Sequence, residues 1–181
     1  MFDPVINWIV ALALVQLFAT AAWHKFSDMN AFKGSLSAYE IVPVKFENIV
    51  AGFILVVELM VVVLLVIPAF REVGALLACG LLLAYASGMA INIWRGRSLA
   101  DCGCHFGSKP QAVTRFLVAR NLVLALGASL LIWPESTRQL NLLDFGSILF
   151  GLAVITLIYT ISNSLSQSYT RLQQAIADGD L

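Results

Sequence analysis

The sequence predicts an all-α membrane protein, a four-helix transmembrane bundle followed by a fifth transmembrane helix towards the C-terminus. Three observations carry this. The chain is 60% apolar and only 12% charged, and its mean hydropathy of +0.86 lies far from that of a soluble globular domain. Five stretches reach the roughly 20 predominantly apolar residues that a helix needs to cross the hydrocarbon core. The longest polar loop holds about two dozen residues, too few to bury a core of its own.

The first span is expected over Pro4–Trp23. The residues before it are acidic rather than basic and its apolar part is long, so it reads as a retained helix and not a cleaved signal. Asn48–Ile67 and Glu72–Trp94 follow, separated only by Pro68–Arg71, a proline-marked hairpin. The fourth, Val113–Trp133, begins after Ser108 and Pro110, a helix-start pattern. The fifth, Leu143–Asn163, is thinned by Thr156, Thr160, Ser162 and Asn163. Trp8, Trp23, Trp94 and Trp133 fall at or near the expected ends, where amphipathic rings favour the interface.

Two further segments carry helical apolar spacing. Phe32, Leu36 and Tyr39 suit a short helix lying on the membrane surface before Pro43. Leu165, Tyr169, Leu172 and Ile176 extend the same pattern into the tail, so the last span is expected to continue as an interfacial helix. The organisation is one polytopic domain over residues 1–164, set in the lipid bilayer, with an amphipathic tail over 165–181.

Five spans put the termini on opposite sides. The side with the 24–47 loop, the 95–112 loop and the tail holds Lys25, Lys33, Lys45, Arg95, Arg97, Lys109 and Arg171, with Arg115 just inside the fourth span. The other side holds Arg71 and Arg138. The positive-inside rule makes the first side cytoplasmic. Net charge is zero, and no basic block points to nucleic acid.

The chemistry-bearing residues start with Cys102 and Cys104, in the run DCGCHFG at 101–107. One residue between two cysteines makes a small, strained disulfide ring, and strained, exposed disulfides are the labile, reactive ones. Nearby cations and a following helix start lower thiol pKa, and the thiolate is the attacking species. A redox dithiol, a metal site and incidental loop cysteines are the three readings. The metal reading is weakest, since Cys102, Cys104 and His105 supply at most three ligands without paired spacing; no metal is expected. Cys79 lies 15 residues before Trp94, roughly 22 Å along its helix, too far for direct pairing with the loop cysteines.

Ionisable residues inside a span usually face a partner or cavity. Glu58 in the second span and Arg120 in the fourth, followed by Asn121, are expected to form a buried pair. Arg120 is also placed to hold an anion, a thiolate or a quinone oxygen below the cysteine loop. Lys25 is expected to snorkel to the interface. His24, beside it, is either a plain interfacial residue or a proton relay.

His24-Lys25-Phe26, Tyr39-Glu40-Ile41-Val42-Pro43, Glu58, and DCGCHFG followed by Arg120-Asn121 together resemble the methylamine-utilisation MauE group, within the broader DoxX-like family, over about residues 10–130. The resemblance implies a bacterial inner-membrane, redox-associated bundle. It implies a thioredoxin-like partner and a role in maturing the disulfide-rich small subunit of a periplasmic dehydrogenase, methylamine dehydrogenase. Cys102 and Cys104 take the redox role, and Glu58 and Arg120 the intramembrane polar positions. The wider set of four-helix thiol oxidoreductases, of the DsbB and vitamin-K-epoxide-reductase type, uses two cysteine pairs and a quinone; this chain has one pair and the distant Cys79. The expected function is therefore that of a membrane thiol–disulfide oxidoreductase working with a partner, with quinone a candidate cofactor. The alternative is a non-catalytic scaffold or oxidase accessory subunit.

Overall fold

The structure, a computed structural model, describes residues 3–96, 115–134, 136 and 138–178. Six α-helices carry it: α1 Pro4–Ser27, α2 Met29–Ala38, α3 Glu47–Val66, α4 Arg71–Trp94, α5 Arg115–Leu130 and α6 Leu142–Asp178. Local chemistry fixes the boundaries. The Asp3 side chain accepts the Val5 N–H at 2.9 Å, and Pro4 opens α1 where no intrahelical donor is needed. Asp28 ends α1 and caps α2, accepting the Ala31 N–H at 2.9 Å. Glu40, at φ 47°, turns the chain out of α2 in the left-handed region. Single 3₁₀ turns at Val44–Phe46 and Pro68–Phe70 lead into α3 and α4.

Among the described residues, four helical segments are long and apolar enough to cross a membrane: Pro4–Ser27, Val44–Val66, Pro68–Trp94 and Leu142–Ser166. The chain is a multi-pass membrane protein. The described part of α5 is 16 residues, roughly 24 Å of axis, and its Leu131, Ile132 and Trp133 continue as turns hydrogen-bonded three residues back. α6 runs unbroken for 37 residues, so the last span does extend into the tail as one helix. Leu165, Tyr169, Leu172 and Ile176 are all more than half exposed.

α1 is the hub. It packs on α3, α6, α5 and α2, while α4 packs on α5 and α3. The core is Ala11, Leu14 and Phe18 of α1 with Val61 and Leu65 of α3, Ala75, Ala78 and Leu82 of α4, and Ala125 and Ala128 of α5. Lipid is as apolar as leucine, so close backbone approach between small residues does much of the holding. α6 stands outside this core, and among its described residues Asn163 and Ile148 are buried.

Most buried positions recur three or four residues apart. In α1 they run Asn7, Ala11, Leu14, Phe18, Ala21, Lys25; in α4 they include Arg71, Ala75, Ala78, Leu82, Met89 and Asn92. This is the spacing of a coiled-coil-like seam. Asn7, Lys25, Arg71 and Asn92 all sit on it, so the seams that hold the bundle also carry its buried polar groups.

α2 departs from expectation. Phe32 is buried, and Phe32, Leu36 and Tyr39 line a pocket of about 260 Å³ against Val50 and Ile54 of α3 and Leu81, Ala84, Tyr85 and Gly88 of α4. The apolar face of this helix turns inward to protein rather than resting on the membrane surface alone.

Candidate functional site: a buried polar cluster

α1 and α4 end, and α3 and α5 begin, at one end of the bundle. Between that end and the middle of the bundle lies a cluster around Glu58, whose side chain is fully buried. Its Oε1 accepts from Lys25 Nζ at 2.7 Å and from the Tyr85 hydroxyl at 2.6 Å. Lys25 Nζ also lies 5.0 Å from the centre of the Phe32 ring and 5.4 Å from that of Tyr85. An ammonium over aromatic faces keeps part of the stabilisation that it loses with water. The sequence builds this locally. Lys25 is the last residue of the α1 seam, so its four-carbon stem points into the bundle instead of out of it.

Lys25 is thus 1% exposed and does not snorkel to the interface. Nor is Arg120 the partner of Glu58. Arg120 Nη1 donates to Asn163 Oδ1 of α6 at 3.2 Å, and its guanidinium lies 5.3 Å from the Tyr159 ring. The physical reason is rotational phase: Glu58 and Lys25 share the α1–α3 seam, whereas Arg120 faces α6. Asn121, one residue on, faces the cluster and is buried. His24 is exposed beside the buried Lys25. Cys102, Cys104 and His105 lie outside the described residues. Cys79 is half-buried at the edge of the apolar core.

Tyr85 and Asn92 are missing from the sequence-based list. Asn92 is fully buried in the last turn of α4, and neither its Oδ1 nor its Nδ2 has a hydrogen-bond partner. The available signal was the seam: Tyr85 falls three residues beyond Leu82, and Asn92 three beyond Met89. Hydropathy alone does not show it, because every face of these helices is apolar.

A second polar knot closes the opposite end. Arg71, buried at the start of α4, donates from Nη1 to Asn7 Oδ1 at 3.0 Å and from Nε to the Leu65 carbonyl at 3.3 Å. Its guanidinium stacks 4.0 Å from the centre of the Trp8 ring. Arg71, which the sequence places at the Pro68–Arg71 hairpin, ties α1, α3 and α4 together. Among the described residues no group of three or more His, Cys, Asp or Glu could hold a metal ion.

The family model described as "Methylamine utilisation protein MauE" matches residues 3–134, which cover α1 to α5. The chain belongs to the MauE family. One MauE relative, the methylamine utilization protein MauE of Paracoccus denitrificans, is 33% identical over 97% of this chain and 94% of its own length. That of Paracoccus versutus is 34% identical over 90% of this chain and 88% of its own length, and that of Methylorubrum extorquens 36% over 72% and 70%. No solved structure matches. The MauE family match takes in Lys25, Glu58, Tyr85 and Asn121 together with Cys102 and Cys104, so the buried cluster and the cysteine pair both lie inside the family region.

Proposed function

We propose that this MauE-family protein is an inner-membrane component of methylamine utilisation that passes electrons or disulfides through Cys102 and Cys104 to a thioredoxin-like partner, in the maturation of a disulfide-rich periplasmic dehydrogenase subunit. The observation that supports this reading is the position of the buried polar cluster. Lys25, Tyr85, Asn92 and Asn121 lie in the half of the bundle where α4 ends at Trp94 and α5 begins by Arg115, and Glu58, near the middle of α3, joins Lys25 and Tyr85 from below. The chain between those two ends is the one that carries Cys102 and Cys104. Buried ionisable groups inside a membrane are expensive and mark functional pathways.

The chemistry is thiol–disulfide exchange. A thiolate of the pair attacks one sulfur of the partner's disulfide, which forms a mixed disulfide and releases the partner's second sulfur as a thiolate. The other cysteine of the pair then attacks its neighbour's sulfur. Cys102 and Cys104 end as a disulfide, two electrons have moved to the partner, and the two protons of the pair pass to the partner's thiolates or to solvent. The exchange is reversible, and its direction follows the two reduction potentials. A disulfide closed across a single intervening residue is expected to be strained, and strained disulfides are the ready donors.

Single Cys102→Ser and Cys104→Ser variants, quenched in cells with a thiol-reactive alkylating agent, test this. One of them is expected to accumulate a mixed disulfide with a partner of thioredoxin-like mass, which reductant dissolves. If neither variant traps a partner and both keep growth on methylamine at the parent rate, the redox role is wrong and a scaffold role replaces it.

A further inference from the structure

A pocket of about 260 Å³ opens between α2, α3 and α4. Beside their hairpin, α3 and α4 come close enough at Gly74 to leave no room for a Cβ. Towards their other end they line the pocket together, with Val50 and Ile54 on one wall and Leu81 to Gly88 on the other. That second wall runs roughly 10 Å along α4. Ala84 and Ile41 line the pocket and are also exposed, so it is open on one side. Ala84 lies roughly 15 Å along the helix axis from Trp94, a depth at which the opening meets hydrocarbon and not water.

The lining selects the ligand. Among the described lining residues, Ser35, Tyr39 and Tyr85 carry a polar side-chain atom and none is charged. The Tyr85 hydroxyl is committed to Glu58 Oε1 at 2.6 Å. A polar solute would give up its hydration here with little in return, whereas a hydrocarbon chain gives up nothing. An apolar cavity of about 150 Å³ holds benzene and stays dry, so 260 Å³ takes a chain segment of roughly ten carbons.

We propose that the pocket holds one acyl chain of a zwitterionic phospholipid, taken from the leaflet on the Lys25 side as a structural ligand. The depth fits such a chain. The space begins at Ile41 and Val42, in the turn that follows α2 at the end of the bundle, and runs inward to Leu81. The headgroup then lies beside residues 33–47, which carry Lys33 and Lys45 with Glu40 and Glu47. Charges of both signs in equal number match a phosphate joined to an ammonium better than a net anionic or an uncharged head.

The role of the chain follows from what lines its site. Phe32 and Tyr85 are shared: the same two rings lie 5.0 Å and 5.4 Å from Lys25 Nζ. A filled pocket backs both rings with hydrocarbon, which keeps water from the Lys25–Glu58 pair and holds α2 on the bundle. An unfilled one leaves these walls without partner atoms on one side. The site is independent of disulfide exchange at Cys102 and Cys104.

Native mass spectrometry of the full chain, purified from its membrane in mild detergent, tests this. The parent is expected to keep one zwitterionic phospholipid. Gly88→Leu should lower that occupancy at least tenfold, because a Cβ there meets nothing closer than the Tyr39 ring at 3.7 Å and the added chain enters the pocket. Leu83→Ala, at a lipid-facing position of α4, should keep the parent's occupancy. Phosphatidylcholine returned to delipidated protein should raise the melting temperature of the parent and leave that of Gly88→Leu unmoved. Should Gly88→Leu fail to fold, a phosphatidylcholine with a mid-chain diazirine decides in the unaltered protein: after detergent washing, its label is expected on Leu36, Ile54 and Leu81. The site is overturned by retention of no phospholipid, or of an anionic phospholipid or an isoprenoid quinone in its place. Parent occupancy in Gly88→Leu, an unmoved melting temperature in the parent, or label confined to outward residues such as Phe53 and Leu83 overturns it equally.

Discussion

At the scale of single residues, the Lys25–Glu58 pair governs the behaviour of the bundle. Two charges taken out of water pay a desolvation cost that their attraction offsets only with good geometry and further hydrogen bonds. Here the geometry is a 2.7 Å contact with a tyrosine hydroxyl on the same oxygen. Breaking the pair from one side strands the other charge, so Lys25→Met is expected to destabilise the protein by about 3–5 kcal/mol. The double variant Lys25→Met/Glu58→Leu, which removes both charges of this pair, should recover most of that loss. Reversible unfolding in mixed micelles of the parent, both single variants and the double variant measures the coupling. Additive single effects would show that the two residues act independently. The pair was half legible in the sequence. Glu58 stood out as a charge in an apolar run, but its partner did not. Lys25 sits at a span end, where lysines ordinarily reach for water, and only the seam rotation of α1 turns it inward. The same rotation sends Arg120 to α6, which no hydropathy profile records.

Helices as elements were read far more easily than their faces. Membrane thickness sets span length, so apolar runs mark α1, α3 and α4 with little ambiguity, and α6 less sharply because Thr156, Thr160, Ser162 and Asn163 thin its run. α2 was legible as a helix but not in what it covers, because the same i, i+4, i+7 stripe suits lipid or protein. Two glycines show how closely the elements meet. A Cβ on Gly74, buried at the start of α4, would lie 3.0 Å from both the Leu65 backbone nitrogen and the Leu64 Cβ of α3. Backbone cannot step aside, so the α3–α4 hairpin would have to open. A Cβ on Gly151 of α6 would lie 2.7 Å from Ile9 Cδ1, the far end of a side chain that can change rotamer. Gly74→Ala is therefore expected to cost about 1–3 kcal/mol through overpacking, and Gly151→Ala clearly less. Thermal unfolding of the two variants in the same detergent checks the order. Equal losses would mean that α6 is gripped as tightly as the central hairpin, against its position outside the core.

For the whole molecule, the asymmetry between the two ends predicts how the bundle sits in its membrane. Counting every Lys and Arg near a span end gives eight on the Lys25 side and two on the Arg71 side. The structure removes one from each, since Lys25 and Arg71 are buried in the bundle, which leaves seven against one. The bias holds either way, and under the positive-inside rule it directs the end that carries the Glu58 cluster and the cysteine pair to the cytoplasm. A periplasmic client would then be reached through an intermediary or across the bundle, not by direct contact with Cys102 or Cys104. Impermeant maleimide labelling tests this in a chain whose native cysteines are replaced by serine. A cysteine at Asn30, exposed on α2, is expected to react only after the inner membrane is opened, and one at Gln139, exposed before α6, in intact spheroplasts. The reverse pattern would place the cysteine pair in the periplasm, facing its client directly, and would mean that insertion of this bundle follows a signal other than its basic residues.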